Sequence, residues 1–121
     1  MEYIGIFNGN PTAGARDGAE VSQNGVLSNP VSADVEIDAV AGTVVTCAVR
    51  CQSGYEADGD VEITSAMSNV KVSLDGQNWS DSVDVSGVDD TNTLFYVQIE
   101  PGADLGTETG VLELAGTVVA A

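Results

Sequence analysis

The chain has 121 residues, a hydrophobic share of 43% and a net charge of −16, with 19 acidic residues set against Arg16, Arg50 and Lys71. That length and apolar share suit one domain with its own core and exceed what a disordered chain carries. The charge repels phosphate and anionic headgroups, which argues against nucleic-acid binding and against docking on acidic membranes.

Residues 1–30 differ from the rest. They are rich in Gly, Asn and Ala, contain Pro11 and Pro30, and carry a net charge of only −2, while residues 31–121 hold the other −14. Tyr3, Ile4, Ile6 and Phe7 form an apolar cluster at the front. Two readings are open. The segment adds an edge strand to the domain, or it is an arm that docks on a partner's sheet edge by β-augmentation. In the second reading those four residues contact the partner, and the arm is dispensable for folding. The opening MEYIGIFNGN has no basic n-region and no long apolar run, so no secretory signal is expected. No window reaches the roughly 18 apolar residues of a membrane span. Synthesis and folding in a cytoplasm are expected.

From residue 31 onward, apolar residues recur with period two, which predicts half-buried strands. Val35 and Ile37 alternate with Asp34, Glu36 and Asp38. Val45, Cys47, Val49 and Cys51 share one face of the next run. Val61 and Ile63 follow, then Val70, Val72 and Leu74, then Val83 and Val85. Phe95, Val97 and Ile99 alternate with Tyr96, Gln98 and Glu100, and Leu112 and Leu114 flank Glu113. Val118 and Val119 continue that last strand or bend into a final one. Turn dipeptides separate most of these runs, among them Ala41-Gly42, Asp58-Gly59, Asp75-Gly76 and Pro101-Gly102. Seven short strands with one apolar face each predict an all-β fold, an immunoglobulin-like β-sandwich over residues 31–121. The Cys-Trp-Cys spacing of antibody domains is absent.

Candidate sites are few. Trp79 follows the Asp75-Gly76 turn beside Gln77 and Asn78, where it caps the core, stacks on a sugar or anchors a partner. Tyr55 and Tyr96 are further stacking candidates for a carbohydrate. Glu56, Asp58, Asp60 and Glu62 gather in one loop, and Asp89 and Asp90 in another. Hard oxygen ligands suit Ca²⁺, but the spacing is not an EF-hand loop, so these are opportunistic ligands only and no metal or other cofactor is expected. Cys47 and Cys51 lie four strand residues apart, about 13 Å, too far for a disulfide. With no His in the chain, a two-Cys zinc site is not expected; they read as reduced, packed thiols. The chain has no His base, no activating partner for a Cys, and no phosphate or dinucleotide motif. A carboxylate pair could serve a glycosidase, but a small sandwich offers little room for a deep cleft, so no enzyme activity is expected. Lys71 points outward by strand phase, which argues against a self-made isopeptide cross-link.

The stretches VKVSLDGQNWSDSVDVSG and TLFYVQIEPGADLGTETGVLELAG resemble the second half of bacterial and phage Ig-like domains. The opening EYIGIFNGNPTAGARDGAEVS, followed by NPVSADVEIDA, is similar to small accessory proteins encoded in the structural modules of tailed phages and prophages. The resemblance touches most of the chain and rests on strands, turns and glycines. It implies an Ig-like domain exposed on a virion, as a capsid decoration protein bound to the major capsid protein or as a tail or fibre accessory. Nothing catalytic carries over. A glycan-binding module of a tail fibre or adhesin is the alternative.

Overall fold

The computed structural model describes residues 3–21, 30–40, 42–100 and 107–121, with the backbone alone at 33, 107 and 108. Val, Ile and Thr are stiff at χ1 and pack well on a pleated surface, and where they alternate with polar residues the chain is extended. The strands are β1 (Ile4–Asn8), β2 (Ala19–Glu20), β3 (Val31–Val40), β4 (Val44–Cys51), β5 (Tyr55–Ala57), β6 (Val61–Ser65), β7 (Val70–Ser73), β8 (Ser82–Val85), β9 (Thr93–Ile99), β10 (Thr107–Gly116) and β11 (Val118–Ala120). No helix occurs among the described residues. The expected strands from residue 31 onward are present, and Val118–Ala120 forms a separate final strand.

Two layers hold most of the strands. One is β2-β1-β4-β9-β7 and the other is β3-β10-β6-β8; β5 and β11 make a small sheet of their own. All pairs are antiparallel. The apolar faces meet between the layers. Ile4, Ile6, Cys47, Val49, Phe95 and Val97 from the first layer share one buried cluster with Val35, Ile37, Ile63, Leu112 and Leu114 from the second. Contact across the interface is close at Gly110, where an added Cβ would lie 3.2 Å from Val70 and 3.3 Å from Ile99.

The order of pairing is nested. Val31–Val40 runs against Gly116–Thr107. Inside it, Val44–Val49 runs against Gln98–Thr93. Inside that, Val61–Thr64 runs against Val85–Ser82, and innermost Val72 bridges Ser80. From β3 to β10 the chain is thus one long hairpin whose tip is the turn after Ser73. Its successive long strands fall alternately in one layer and the other. An immunoglobulin sandwich instead pairs several sequence neighbours, as its ABED and CFG sheets require. That expected order is corrected here. Periodicity reports which side chains are buried, not which strand lies alongside, and side-by-side hairpins do not arise where consecutive strands face each other across the core.

Of the two readings of the N-terminal segment, the added strand is the one present. β1 lies between β2 and β4, with Ile4 opposite Cys51 and Ile6 opposite Val49. Ile4 and Ile6 are fully buried and Phe7 is 4% exposed, so these three side chains are closed to a partner. Tyr3 is half-buried, edge-on to the Tyr55 ring at 5.9 Å. β1 is therefore a strand of the sandwich rather than a detachable arm, and residue 30 does not divide two independent pieces. Deleting residues 1–21 should abolish cooperative folding. Each fully buried aliphatic or aromatic side chain is worth about 1.5–3 kcal/mol, and three are lost from a total margin of about 5–15 kcal/mol. Urea titration followed by far-UV circular dichroism checks this; a truncated chain with the full-length midpoint contradicts it.

Candidate functional site

Phe7 and Ala48 are buried but lie on the outer face of the five-stranded layer, out of phase with Ile6 and Val49. What covers them is the connection between β1 and β2, residues 9–18, which folds back over this face with Pro11 buried. At Gly18 (φ +110°) an added Cβ would fall 3.0 Å from the Asn8 carbonyl oxygen and 3.1 Å from Phe7 Cβ. That approach requires glycine in both space and backbone conformation.

Asn92 holds the connection down. It is 4% exposed, and its backbone exchanges bonds with the loop: N–H to Ala15 O at 2.8 Å and O from Gly14 N–H at 3.0 Å. Its Nδ2 donates to Thr12 O at 3.0 Å and to Asp17 Oδ1 at 2.9 Å. Its Oδ1 accepts from Arg50 Nη1 at 2.8 Å, and the same Nη1 donates to Asp17 O at 2.9 Å. The Arg50 guanidinium stacks 3.6 Å over the Phe7 ring, a cation–π contact. Arg16 closes the far side on Asp90 at 2.6 Å. Two of the three cations are thus committed to this one loop. Asp17 accepts from Thr12 N–H at 2.8 Å and Thr12 Oγ1 at 2.9 Å, and these bonds hold its carboxyl below the usual value of 3.8. All of these polar groups have partners, so the arrangement is a clamp rather than reactive machinery. Sequence reasoning missed it. Its signals were Asn92 at the junction of the polar Asp89–Thr91 stretch with the apolar run of β9, and two arginines in a chain nearly devoid of cations.

The hairpin tip is the second built feature. Asp75 Oδ1 accepts from Gln77 N–H and Asn78 N–H, each at 2.8 Å, and Oδ2 from Asn78 Nδ2 at 2.6 Å. Buried Ser73 accepts from Gly76 N–H at 2.9 Å. The donors from Asn78 and Gln77 hold the Asp75 carboxyl well below the ordinary carboxylate range. Trp79 is half-buried just before Ser80, which bridges inward-facing Val72. On the outer face of β7, Ser73 lies opposite Tyr96. Gly76 lies over the Tyr96 ring. Lys71 pairs with Asp81 at 2.5 Å on the same side. Tyr55 does not join this face; it packs with Tyr3 and the core.

The carboxylates do not converge. Asp58 and Asp60 flank the turn before β6, and Glu62 stands on the outer face of β6 opposite Asp84. Asp89 is taken up by Thr91 N–H at 2.8 Å and Thr91 Oγ1 at 2.6 Å, and Asp90 by Arg16. Among the described residues, no three His, Cys, Asp or Glu side chains come together as a metal site. Cys47 and Cys51 are both buried and free; burial pushes their thiols up to about 12 and about 11, away from the thiolate form that reacts or ligates. Neither a family model nor a curated protein matches the chain.

Two outcomes follow. Asn92→Ala should cost about 1–3 kcal/mol, because it leaves buried partners unpaired, and hydrogen exchange at Gly14 and Ala15 should accelerate ahead of the core strands. Unchanged exchange there contradicts the clamp. For Asp75, a folded-state value below 3.8 means its contribution is present above that value and lost as pH falls through the lower one. The gap in melting temperature between wild type and Asp75→Ala should be widest above about pH 5 and close in acid. Reading the difference cancels the relief of overall repulsion on acidification.

Proposed function

We propose that the chain is a non-enzymatic virion structural protein, a capsid decoration protein that binds the major capsid protein and exposes an acidic β-sandwich. The nested strand order carries this reading. A hairpin rolled across two layers is the winding of a jelly roll, an architecture of viral capsid and lectin domains. The finer fold assignment is accordingly jelly-roll-like, in place of the immunoglobulin-like order first expected. Fold alone does not dictate function, so the side chains supply the rest of the support. The described carboxylates are paired in turns or spread over solvent-facing strands, and the polar groups of the clamp and the tip are spent on local structure. A shell of like charge keeps copies and particles apart. A phage structural protein would fold in the host cytoplasm and reach the outside on the particle.

A second reading keeps one observation. Trp79 is half-buried at the hairpin tip beside Gln77 and Asn78, and Gly76 of that tip lies against the Tyr96 ring, the side-chain chemistry of a sugar platform. It makes the protein a carbohydrate-binding module of a tail, fibre or adhesin.

Cosedimentation with undecorated shells of tailed phages separates the two. Saturable attachment to shells, unaffected by Trp79→Ala, is the expected result. Failure to attach to any head or tail particle, with glycan-dependent quenching of Trp79 fluorescence, would overturn the decoration role.

A further inference from the structure

β3 forms one margin of the four-stranded layer. It pairs with β10 along all ten residues, and no described residue pairs with its other side. In an antiparallel pair, residues alternate in the direction of their N–H and C=O groups, so every second residue of β3 turns them toward the open margin. Such a row is a template for a further strand.

The side chains say which strand. Val35 and Ile37 are buried, while Asp34, Glu36 and Asp38 are exposed on the outer face. The charge continues across the layer, with Glu113 opposite Asp34 and Asp84 opposite Glu62. Like charges directly opposite weaken a sheet, so Asp34 and Glu113 do not stabilise it by facing each other, whereas Asp38 accepts from Thr109 Oγ1 on β10 at 2.5 Å. The three cations lie elsewhere: Arg50 on β4, Lys71 on β7 and Arg16 in the clamped loop. A second copy is a poor occupant. Two β3 strands meeting antiparallel about Glu36 would set Asp34 against Asp38 and Glu36 against itself.

We propose that the β3 margin takes a basic extended segment of another polypeptide by strand addition, with Lys or Arg at alternate positions facing Asp34, Glu36 and Asp38. The inference rests on the virion reading only for where that partner is found, on the shell protein.

The test uses the full chain, ¹⁵N-labelled, and a ten-residue peptide alternating Lys with Val and Thr, beside versions with Gln or Glu in place of Lys. The Lys peptide should bind saturably, with amide shifts and slowed exchange confined to residues 31–40. Binding should fall by about tenfold or more in Asp34→Asn/Glu36→Gln/Asp38→Asn and in about 0.5 M salt, where screening is strong. These exposed, near-isosteric changes leave the core untouched. No binding, binding undiminished in the triple variant, or shifts spread over β6 and β8 without change at residues 31–40 would overturn the proposal. Shells that still take up the triple variant would overturn it too while leaving the decoration role intact. Lys-peptide binding at β3, with shells that ignore the wild type, would uphold the margin and remove the decoration role.

Discussion

Burial of one apolar face per strand, between two antiparallel layers, is the constraint on which the rest of this structure depends. Phe95, Val97 and Ile99 on β9 face Ile37, Ile63 and Leu112 across the interface, and all of them are fully excluded from water. At about 25 cal/mol per Å² of apolar surface, that burial is the dominant favourable term available. With few aromatic residues, the interior is filled by Val, Ile and Leu. Small residues matter where layers meet, as at Gly110, because interiors are packed to crystal-like density.

Rolling a single hairpin is one way to satisfy that constraint. Its consequence is that residues far apart in sequence carry the pairing: Val31 meets Gly116 and Val44 meets Gln98. The tip must then be locally stable, and it is. Asp75 and Ser73 spend their polar groups on the backbone of the turn, so Gln77, Asn78 and Trp79 are held rather than loose. At the other end of the chain, the connection after β1 folds over Phe7, held by Asn92 and Arg50. Asp34, Glu36, Glu62, Asp84 and Glu113 are left where water solvates them, on the outer faces of β3, β6, β8 and β10.

Much of the secondary structure was legible in the sequence because period-two alternation reports burial directly. Val35-Ile37, Val61-Ile63 and Phe95-Val97-Ile99 each mark a strand and its inward face. The order of strands was not legible, because nothing in Val70–Ser73 says that β9 and not β6 lies beside it. The front of the chain was legible only as two open readings. A Gly- and Asn-rich composition reads as a loose arm, but Ile4 and Ile6 are spaced as a strand and supply a core face. The clamp was missed because its central residue, Asn92, acts through the distant backbone of Thr12, Ala15 and Asp17. The acidic residues read as two loop clusters in sequence, and among the described residues neither converges on a metal site.

The central claim is the nested pairing, and long-range NOEs test it most directly. A ¹⁵N/¹³C-labelled sample should show Hα and amide cross-peaks between residues 31–40 and 107–116, between 44–49 and 93–98, and between 61–64 and 82–85. Cross-peaks instead joining β3 to β4 or β6 to β7 as side-by-side hairpins would contradict the rolled architecture and the functional reading built on it.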